Sequence, residues 1–116
     1  HHLAAMDIAT LVTPNVTVYN FGEPRVGDAK FAKYASAVLP GGKQFRLTHK
    51  QDPVPHIPLR SMGFLHVPHE VWYDNDGDSS YTECDDSPTA EAPNCSDKDK
   101  DVDVFNHVHY LGLCAK

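Results

Sequence analysis

The chain has 116 residues, of which 41% are apolar, and a formal net charge of −6 at neutral pH. This length and apolar content suit one small globular domain with a modest core. The acidic balance argues against a nucleic-acid partner, because binding to a phosphate backbone needs clustered lysine and arginine. No apolar run approaches the roughly 20 residues of a membrane-spanning helix, and no secretory signal peptide is visible.

The first segment of the chain has the pattern of a helix followed by a strand. Apolar residues in His1–Leu11 fall near helical spacing, which predicts the tail of a helix whose start is absent. A tag remnant is the alternative interpretation of the two leading histidines. Thr13–Asn15 contains a proline that ends the helix. Val16–Phe21 is rich in β-branched and aromatic residues, which predicts a strand.

A turn and a second helix follow that strand. Gly22–Gly27, with the sequence GEPRVG, is typical of a backbone that needs unusual φ angles, or of an ordinary surface turn. It lacks the glycine pattern of a phosphate-binding loop. Asp28 is a predicted helix N-cap, and apolar side chains between Phe31 and Leu39 then recur on one helical face. Pro40–Gly42 ends this helix.

The segment Phe45–Pro58, FRLTHKQDPVPHIP, carries the most informative pattern. Its first five residues alternate as in a strand, which with the preceding strand and helix predicts a right-handed crossover and a parallel pair. The fold class is therefore α/β. Asp52 stands before a Pro-Val-Pro run that stiffens the backbone, at the end of a strand, where α/β folds place their chemistry. A carboxylate there can cap a turn, bind a metal or orient a histidine.

The rest of the chain is predicted as one more strand, a long loop and a helical segment. Gly63–Tyr73 has the composition of a strand that is broken or bulged at Pro68. Asp74–Asp101 is acidic and has few large apolar residues, which predicts a loop. Apolar residues between Val104 and Leu111 recur at helical spacing.

Three cysteines and two glycosylation sequons fit an oxidising, secretory context. Cys84 and Cys95 lie inside the acidic loop and could close a local bridge, worth about 3 kcal/mol in the chain-entropy description. Cys114 is left over. The sequons make Asn15 and Asn94 candidate glycosylation sites.

Two stretches have part of the spacing of a metal site. His66–Glu70 contains H-x-x-H-E, but a zinc helix has the order H-E-x-x-H, and Pro68 prevents a helix. Asp74–Asp78 resembles part of a calcium loop, yet its glycine falls early and no glutamate stands at the twelfth position. A solvated acidic turn is the preferred interpretation, with a weak calcium site as the alternative. The alternating acids of Asp97–Asp103 are interpreted as a solvated loop.

An acid and a histidine in chain order suggest another chemistry. The triad of α/β-hydrolases runs serine, acid, histidine along the chain, and the acid accepts the imidazole Nδ1–H. Asp52 precedes His107 in that order. The chain has eight histidines, so spacing alone leaves open a partly buried structural histidine at position 107.

Three ordered motifs carry a family resemblance. The sequences YNFGEPRVGDAKFAKY, FRLTHKQDPVPHIP and NHVHYL resemble the second half of secreted class 3 lipases of the fungal type, and GFLHVPHEVWYD resembles another strand of that family. In the family, the aspartate of R-x-T-H-x-x-D-x-V-P is the triad acid, and the histidine of the last motif is the base. The resemblance thus implies Asp52 as acid and His107 as base. Leu111 departs from the family's usual aromatic residue.

The resemblance also implies what lies outside the chain. The family's nucleophile stands in G-H-S-L-G, just before the helix that His1–Leu11 is expected to finish, and no GxSxG occurs here. Residues 1–116 are therefore expected to be the C-terminal half of one lipase-like α/β-hydrolase domain, mostly parallel sheet with flanking helices. This chain alone, lacking the nucleophile, is expected to be inactive. Cys114 is expected to bridge to the N-terminal part.

The function implied by this resemblance is carboxylic ester hydrolysis by a Ser-His-Asp mechanism, with triacylglycerols as the leading substrate. Candidate residues for an apolar wall of the acyl pocket, with plain core packing as their alternative, are Val54, Ile57, Pro58 and Leu59. No metal or organic cofactor is implied. The expected partners are an ester or lipid substrate, the lipid–water interface and the N-terminal half, in an extracellular location. The alternative is a non-catalytic secreted fragment that binds lipid or a partner.

Overall fold

A four-stranded sheet organises the part of the chain that the computed structural model describes, which is residues 1–77, 79–98 and 101–114. The helices and strands in chain order are α1 (His2–Leu11), β1 (Val18–Phe21), α2 (Ala29–Val38), β2 (Gln44–His49), β3 (Glu70–Tyr73), β4 (Thr82–Glu83), β5 (His109–Tyr110) and β6 (Leu113–Cys114). Short 3₁₀ helices lie in the connections at Val54–His56, Arg60–Met62, Ser96–Lys98 and Val104–His107. Strands β1 to β4 form the sheet in that order, and β5 and β6 form a separate hairpin.

The first three strands of the sheet run parallel, as the strand–helix–strand pattern predicts. β1 pairs with β2 and β2 with β3 in parallel, and β4 joins β3 antiparallel. Helix α2 makes the crossover from β1 to β2 and begins at its predicted cap. The Asp28 carboxylate accepts a hydrogen bond of 2.9 Å from the N–H of Phe31. The predicted α/β class, with a mostly parallel sheet and flanking helices, is confirmed.

Small side chains let α1 and α2 pack closely against each other and against β1. The buried cluster that joins them consists of Ala5, Met6, Ala32, Ala35, Leu39 and Val67. Val18 of β1 packs against this cluster. Among the described residues no helix is both long and apolar enough to cross a bilayer.

His2 lies inside the fold, with 2% of its surface exposed. Its Nδ1 accepts a hydrogen bond of 3.1 Å from the side chain of Asn20, and its Nε2 donates one of 2.9 Å to Oε1 of Gln44. Buried polar side chains need such partners, so the histidine joins α1 to β1 and β2. His2 is therefore part of the folded structure.

The sheet has a buried polar face, because side chains alternate between the two sides of a strand. The buried polar residues on this face are Asn20, Gln44, Arg46, Thr48 and Glu70. Nε of Arg46 donates a hydrogen bond of 2.7 Å to the carbonyl of Val67, and the guanidinium lies 3.2 Å from the Asp86 carboxylate. The Thr48 hydroxyl donates to Glu70 at 2.6 Å. These contacts compensate the burial of charge and connect β2 to β3.

The strand predicted over Gly63–Tyr73 is shorter in the structure. Only Glu70–Tyr73 pairs in the sheet, and Leu65 makes an isolated bridge to Gly27. Pro68, two residues before this strand, lacks the N–H that a strand ladder needs, and His69 has a φ of 71°. The strand therefore begins only after the predicted break.

The C-terminal segment is a 3₁₀ turn and a hairpin, so the predicted helix is wrong. Val104–His107 is followed by β5 and β6, which pair antiparallel. Leu111 and Gly112 lie between these strands with φ angles of 54° and 74°. Two successive positive φ angles are typical of a two-residue hairpin loop and end any helix. The apolar spacing that suggested a helix comes here from a turn plus a strand.

The acidic loop predicted over Asp74–Asp101 is largely irregular in its described part and includes β4. A disulfide joins Cys84 to Cys95, as the sequence predicts, and the bridge packs with Trp72 and Ala92. The bridge expected from Cys114 concerns a side chain outside the described part of the structure.

Candidate active site

Asp52 is held just beyond the carboxyl end of β2. The chain leaves the strand in a tight turn, in which the N–H of Asp52 donates a hydrogen bond of 2.9 Å to the carbonyl of His49. Its Oδ1 accepts a hydrogen bond of 2.9 Å from the N–H of Val54, which forms an Asx turn into the proline-rich loop. The residue is 1% exposed. The turn therefore uses Oδ1 and leaves Oδ2 for other partners.

His107 reaches Oδ2 of Asp52 from the other end of the chain. Its Nδ1 lies 3.0 Å from that oxygen. An ionised carboxylate only accepts hydrogen bonds, so Nδ1 carries the proton and Nε2 presents a lone pair. The His107 side chain is 39% exposed, whereas the Asp52 side chain is 1% exposed. The pair thus combines a buried carboxylate with an accessible imidazole.

The turn that carries His107 is fixed by its own cap and by β2. Asp103 accepts a hydrogen bond of 2.9 Å from the N–H of Phe105, which caps the 3₁₀ helix. A ring nitrogen of His49 lies 3.1 Å from the carbonyl oxygen of Asn106. The strand that leads to the acid therefore also anchors the residue before the base.

Tyr110 gives Asp52 a further hydrogen bond that sequence reasoning missed. Its hydroxyl donates to Oδ2 at 2.6 Å. Burial and this bond to the carboxylate raise the pKa of Tyr110 far above its ordinary value, so the phenol stays protonated and remains a donor. In the sequence, the only sign of this role is that Tyr110 stands three residues after His107. The hairpin is what brings its hydroxyl to Asp52.

Gly22 lies against both members of the pair. It has a φ of 58°, and a Cβ there would stand 2.8 Å from Nδ1 of His107 and 2.9 Å from Oδ2 of Asp52. A side chain at this position would therefore be strained and would collide with the Asp52–His107 contact. The sequence predicted unusual φ angles in this turn, but not the steric reason.

A cavity of about 340 Å³ opens beside the base. Its apolar lining comes from Phe21, Pro24, Val26 and Val54, which stand around His107. The lining also includes the polar residues His1, Asn20 and Glu23, so the cavity is mixed, and its apolar part is suited to hold the hydrocarbon part of an ester near His107.

The four predicted wall residues occupy different environments. Val54 lines the cavity, whereas Ile57, Pro58 and Leu59 are not among its described lining. Ile57 is 53% and Leu59 is 55% exposed. Ile57 and Leu59 are therefore not packed in the core of residues 1–116, and we call these two exposed side chains the apolar edge.

The histidines weighed as zinc ligands make other contacts. Nε2 of His66 donates a hydrogen bond of 2.6 Å to the carbonyl of Pro55. Burial lowers the pKa of His66 well below its ordinary value, and the charge of Arg46 lowers it further, so the ring is neutral. The ring of His69 packs edge-on against Phe45, with 6.3 Å between centroids.

The acidic stretch weighed as a calcium loop, Asp74–Asp78, is described except for its last residue. The carboxylate of Asp76 is paired with Lys50 at 2.6 Å. Within the described ranges, the compact group of possible metal ligands is Glu70 with the two bridged cysteines, whose sulfurs are bonded to each other.

Residues 2–62 match the family described as Lipase (class 3). The secreted mono- and diacylglycerol lipase A of Penicillium cyclopium is 47% identical over 70 residues, which are 60% of this chain and 22% of that protein.

Two solved structures show the same fold at 30% identity or more. Lipase II from Rhizopus niveus superimposes with a TM-score of 0.84 and 31% identity, over 97% of this chain and 43% of its own. A triacylglycerol lipase with a serine protease triad as its catalytic centre gives a TM-score of 0.81 and 30% identity, over 98% of this chain and 45% of its own. This chain thus spans less than half the length of these relatives. By its family match and its fold, the chain belongs to the class 3 lipase family.

Proposed function

We propose that this chain supplies the acid and the base of a Ser-His-Asp triad in a secreted acylglycerol lipase. The observation that carries the proposal is the 3.0 Å contact between Nδ1 of His107 and Oδ2 of the buried Asp52. Residues 1–116 form the C-terminal half of the hydrolase domain, and the serine lies in the N-terminal half. The short coverage of the relatives supports this division.

The geometry gives each group a role. Asp52 accepts the Nδ1–H of His107 and so directs the Nε2 lone pair outward, where it takes the proton of the serine hydroxyl as that oxygen attacks the ester carbonyl. The imidazolium then gives this proton to the leaving alcohol. In the second half of the cycle His107 activates water against the acyl-enzyme. The buried carboxylate stabilises the imidazolium in both steps because little water screens the two charges.

The substrate proposed is an acylglycerol. The cavity beside His107 has apolar side chains in its lining, including Val54, and Ile57 and Leu59, on either side of Pro58, are exposed a few residues further along the chain. The Penicillium relative is named for mono- and diacylglycerols, and the triad-bearing structure is that of a triacylglycerol lipase. Glycerides of differing acyl number are therefore the substrates to compare.

An extracellular location and contact with a lipid–water interface follow from the same proposal. The disulfide between Cys84 and Cys95 forms in oxidising compartments. Asn15 and Asn94 of the two sequons are both exposed, as glycosylation requires. The alternative is a non-catalytic binding fragment. Such a fragment would not need a buried carboxylate held against an accessible imidazole, so the Asp52–His107 contact favours the enzyme.

The test uses the complete secreted protein that contains this chain. His107→Ala should lower kcat on p-nitrophenyl esters by about 10⁴-fold or more, as loss of a triad base does. His109→Ala is the matched control, because His109 is exposed and bonds to the nearby carbonyl of Phe105 at 2.9 Å. It should keep most of the activity. The opposite ranking of the two variants would overturn the assignment.

A further inference from the structure

Four consecutive carbonyl groups after the proposed acid accept hydrogen bonds from two buried residues, Arg25 and His66. We name residues 53–58 the acid loop. Arg25 donates to the carbonyl oxygens of residues 56 and 58 from Nη1, at 2.5 and 3.0 Å, and to that of residue 57 from its own N–H, at 2.8 Å. His66 donates to the carbonyl of residue 55 at 2.6 Å. The loop carries three prolines, which cannot donate, so donors must come from elsewhere in the fold.

Glu91 fixes both of these donors. Its carboxylate accepts two hydrogen bonds from the Arg25 guanidinium, at 2.8 and 2.6 Å, in the fork geometry that arginine makes with carboxylates. The same carboxylate accepts the N–H of His66 at 3.0 Å. Burial would raise the pKa of Glu91, but the hydrogen bonds from Arg25 and His66 outweigh it and hold that pKa below its usual range. The side chains of Arg25 and Glu91 are 3% and 6% exposed.

The acid loop joins two parts of the proposed site. It starts directly after Asp52, which is tied to its second residue through Oδ1, and it ends beside the exposed apolar edge at Ile57 and Leu59. Arg25 also stands three residues after Gly22, where a Cβ would collide with Asp52 and His107. One guanidinium thus connects the turn that touches the acid and base to the loop that extends from the acid.

We propose that Arg25, held by Glu91, is a positioning residue that sets the acid loop, so that Asp52 meets His107 and the edge at Ile57 and Leu59 takes the acyl chain. This inference rests on the proposed function. Arginine is needed because its planar guanidinium donates to carboxylate and carbonyl oxygens at the same time. The single ammonium group of a lysine is too compact to reach both sets of oxygens. Arg25 acts through the loop and has no role in the chemistry itself.

The experiment compares Arg25→Lys with Arg60→Lys in the complete secreted enzyme. Arg60 is the matched control, because this arginine also lies near Glu91, at 3.9 Å, and pairs with Asp97 at 2.8 Å. Its side chain is 54% exposed, unlike that of Arg25. Active sites are counted by stoichiometric reaction with a p-nitrophenyl phosphonate. The values of kcat and KM per counted site are then measured on p-nitrophenyl butyrate and laurate. Counting sites separates misplacement from a smaller yield of folded enzyme.

Arg25→Lys should lower kcat per counted site by about 10- to 100-fold, the cost of a displacement near 1 Å at a reacting centre. It should also change the ratio of kcat/KM between laurate and butyrate. Arg60→Lys should leave both quantities within about twofold. If Arg25→Lys matches Arg60→Lys in both, the inference is overturned.

A second variant keeps the test decisive if Arg25→Lys yields no folded protein. Glu91→Gln retains the shape of the carboxylate but loses its charge, and it should lower kcat per counted site by about tenfold, since hydrogen bonds to charged groups are the stronger ones. An unchanged value would overturn the inference. The proposed function fails separately, if the unaltered enzyme is inactive on these esters or if His107→Ala retains activity.

Discussion

The hydroxyl of Tyr110 donates a hydrogen bond of 2.6 Å to the same Oδ2 atom of Asp52 that Nδ1 of His107 contacts at 3.0 Å. With the N–H of Val54 on Oδ1, the buried carboxylate has three donors, one from the loop after β2 and two from the C-terminal segment. Its orientation is therefore fixed before any substrate arrives, as the proposed role of a triad acid requires.

Removing that hydroxyl should lower the rate without removing the acid. Tyr110→Phe in the complete enzyme is expected to lower kcat about tenfold. A hydrogen bond to a charged group is worth about 1.5–3 kcal/mol, and we expect the variant to lose only part of this value as stabilisation of the transition state. KM should stay nearly constant. Tyr34→Phe is the control, since Tyr34 is 59% exposed on α2. Equal kinetics for the two variants would show that the Tyr110 bond does not serve the triad.

A methyl group at position 22 should disrupt the acid–base pair. Gly22→Ala places a Cβ 2.8 Å from Nδ1 of His107 and 2.9 Å from Oδ2 of Asp52, so kcat should fall about 100-fold or more. Gly42→Ala is the matched control, because Gly42 also has positive φ, of 83°, yet a Cβ there meets nothing within 4 Å. Both variants should lose about 1–2 kcal/mol of stability from backbone strain, measured by urea unfolding. A Gly22→Ala enzyme as active as the Gly42→Ala enzyme would contradict the steric argument.

Stability should fall in mild acid because of His66. Its pKa in the folded state lies well below the ordinary 6.5, mainly through burial and then through the charges of Arg46 and Arg25 and of His56. The unfolded chain therefore binds the proton first, and the stability that neutral His66 contributes is full above pH 6.5 and is lost as pH falls below it. The Glu91 carboxyl, with its lowered pKa, adds a further loss below its ordinary 4.5.

The measurement is the melting temperature between pH 7 and pH 5. His66→Gln keeps an N–H donor for the carbonyl of Pro55 but cannot be protonated, so its melting temperature should depend less on pH than that of the unaltered enzyme. His109→Gln, at an exposed position, should leave the dependence unchanged. A steeper dependence in His66→Gln would contradict the sign of the argument.

The bridge between Cys84 and Cys95 should be a main source of stability for the acidic loop. Replacing both cysteines by serine, with Cys114 intact, should lower the unfolding free energy by about 3 kcal/mol, the value expected for a closed loop of this size. Chemical denaturation measures it. The bridge packs with Trp72, so tryptophan fluorescence should report the same transition. A loss below about 1 kcal/mol would show that the loop is held by its other contacts.

Local patterns in the sequence determined much of the fold. The N-cap at Asp28, the helix after it and the alternation of Phe45–His49 are encoded by neighbouring residues, and a parallel pair follows from their order. Two cysteines inside one loop made a local bridge between Cys84 and Cys95 possible, and the structure contains it. The resemblance selected Asp52 and His107, which the structure brings together, and their catalytic roles stay a proposal.

Other features depended on contacts between distant segments, which local spacing does not encode. The residues between Val104 and Leu111 have helical spacing, yet positive φ at Leu111 and Gly112 makes a hairpin, and that hairpin turns Tyr110 toward Asp52. The need for glycine at position 22 also appears only when the turn after β1 meets the acid and the base.

The sequence by itself determined the α/β order and the family, because propensity, capping and motif are properties of short segments. Only the tertiary structure decided which donors surround Asp52 and which side chains hold the acid loop. These contacts join residues as far apart as Arg25 and Glu91, and they form when the packed sheet brings separate loops to one edge.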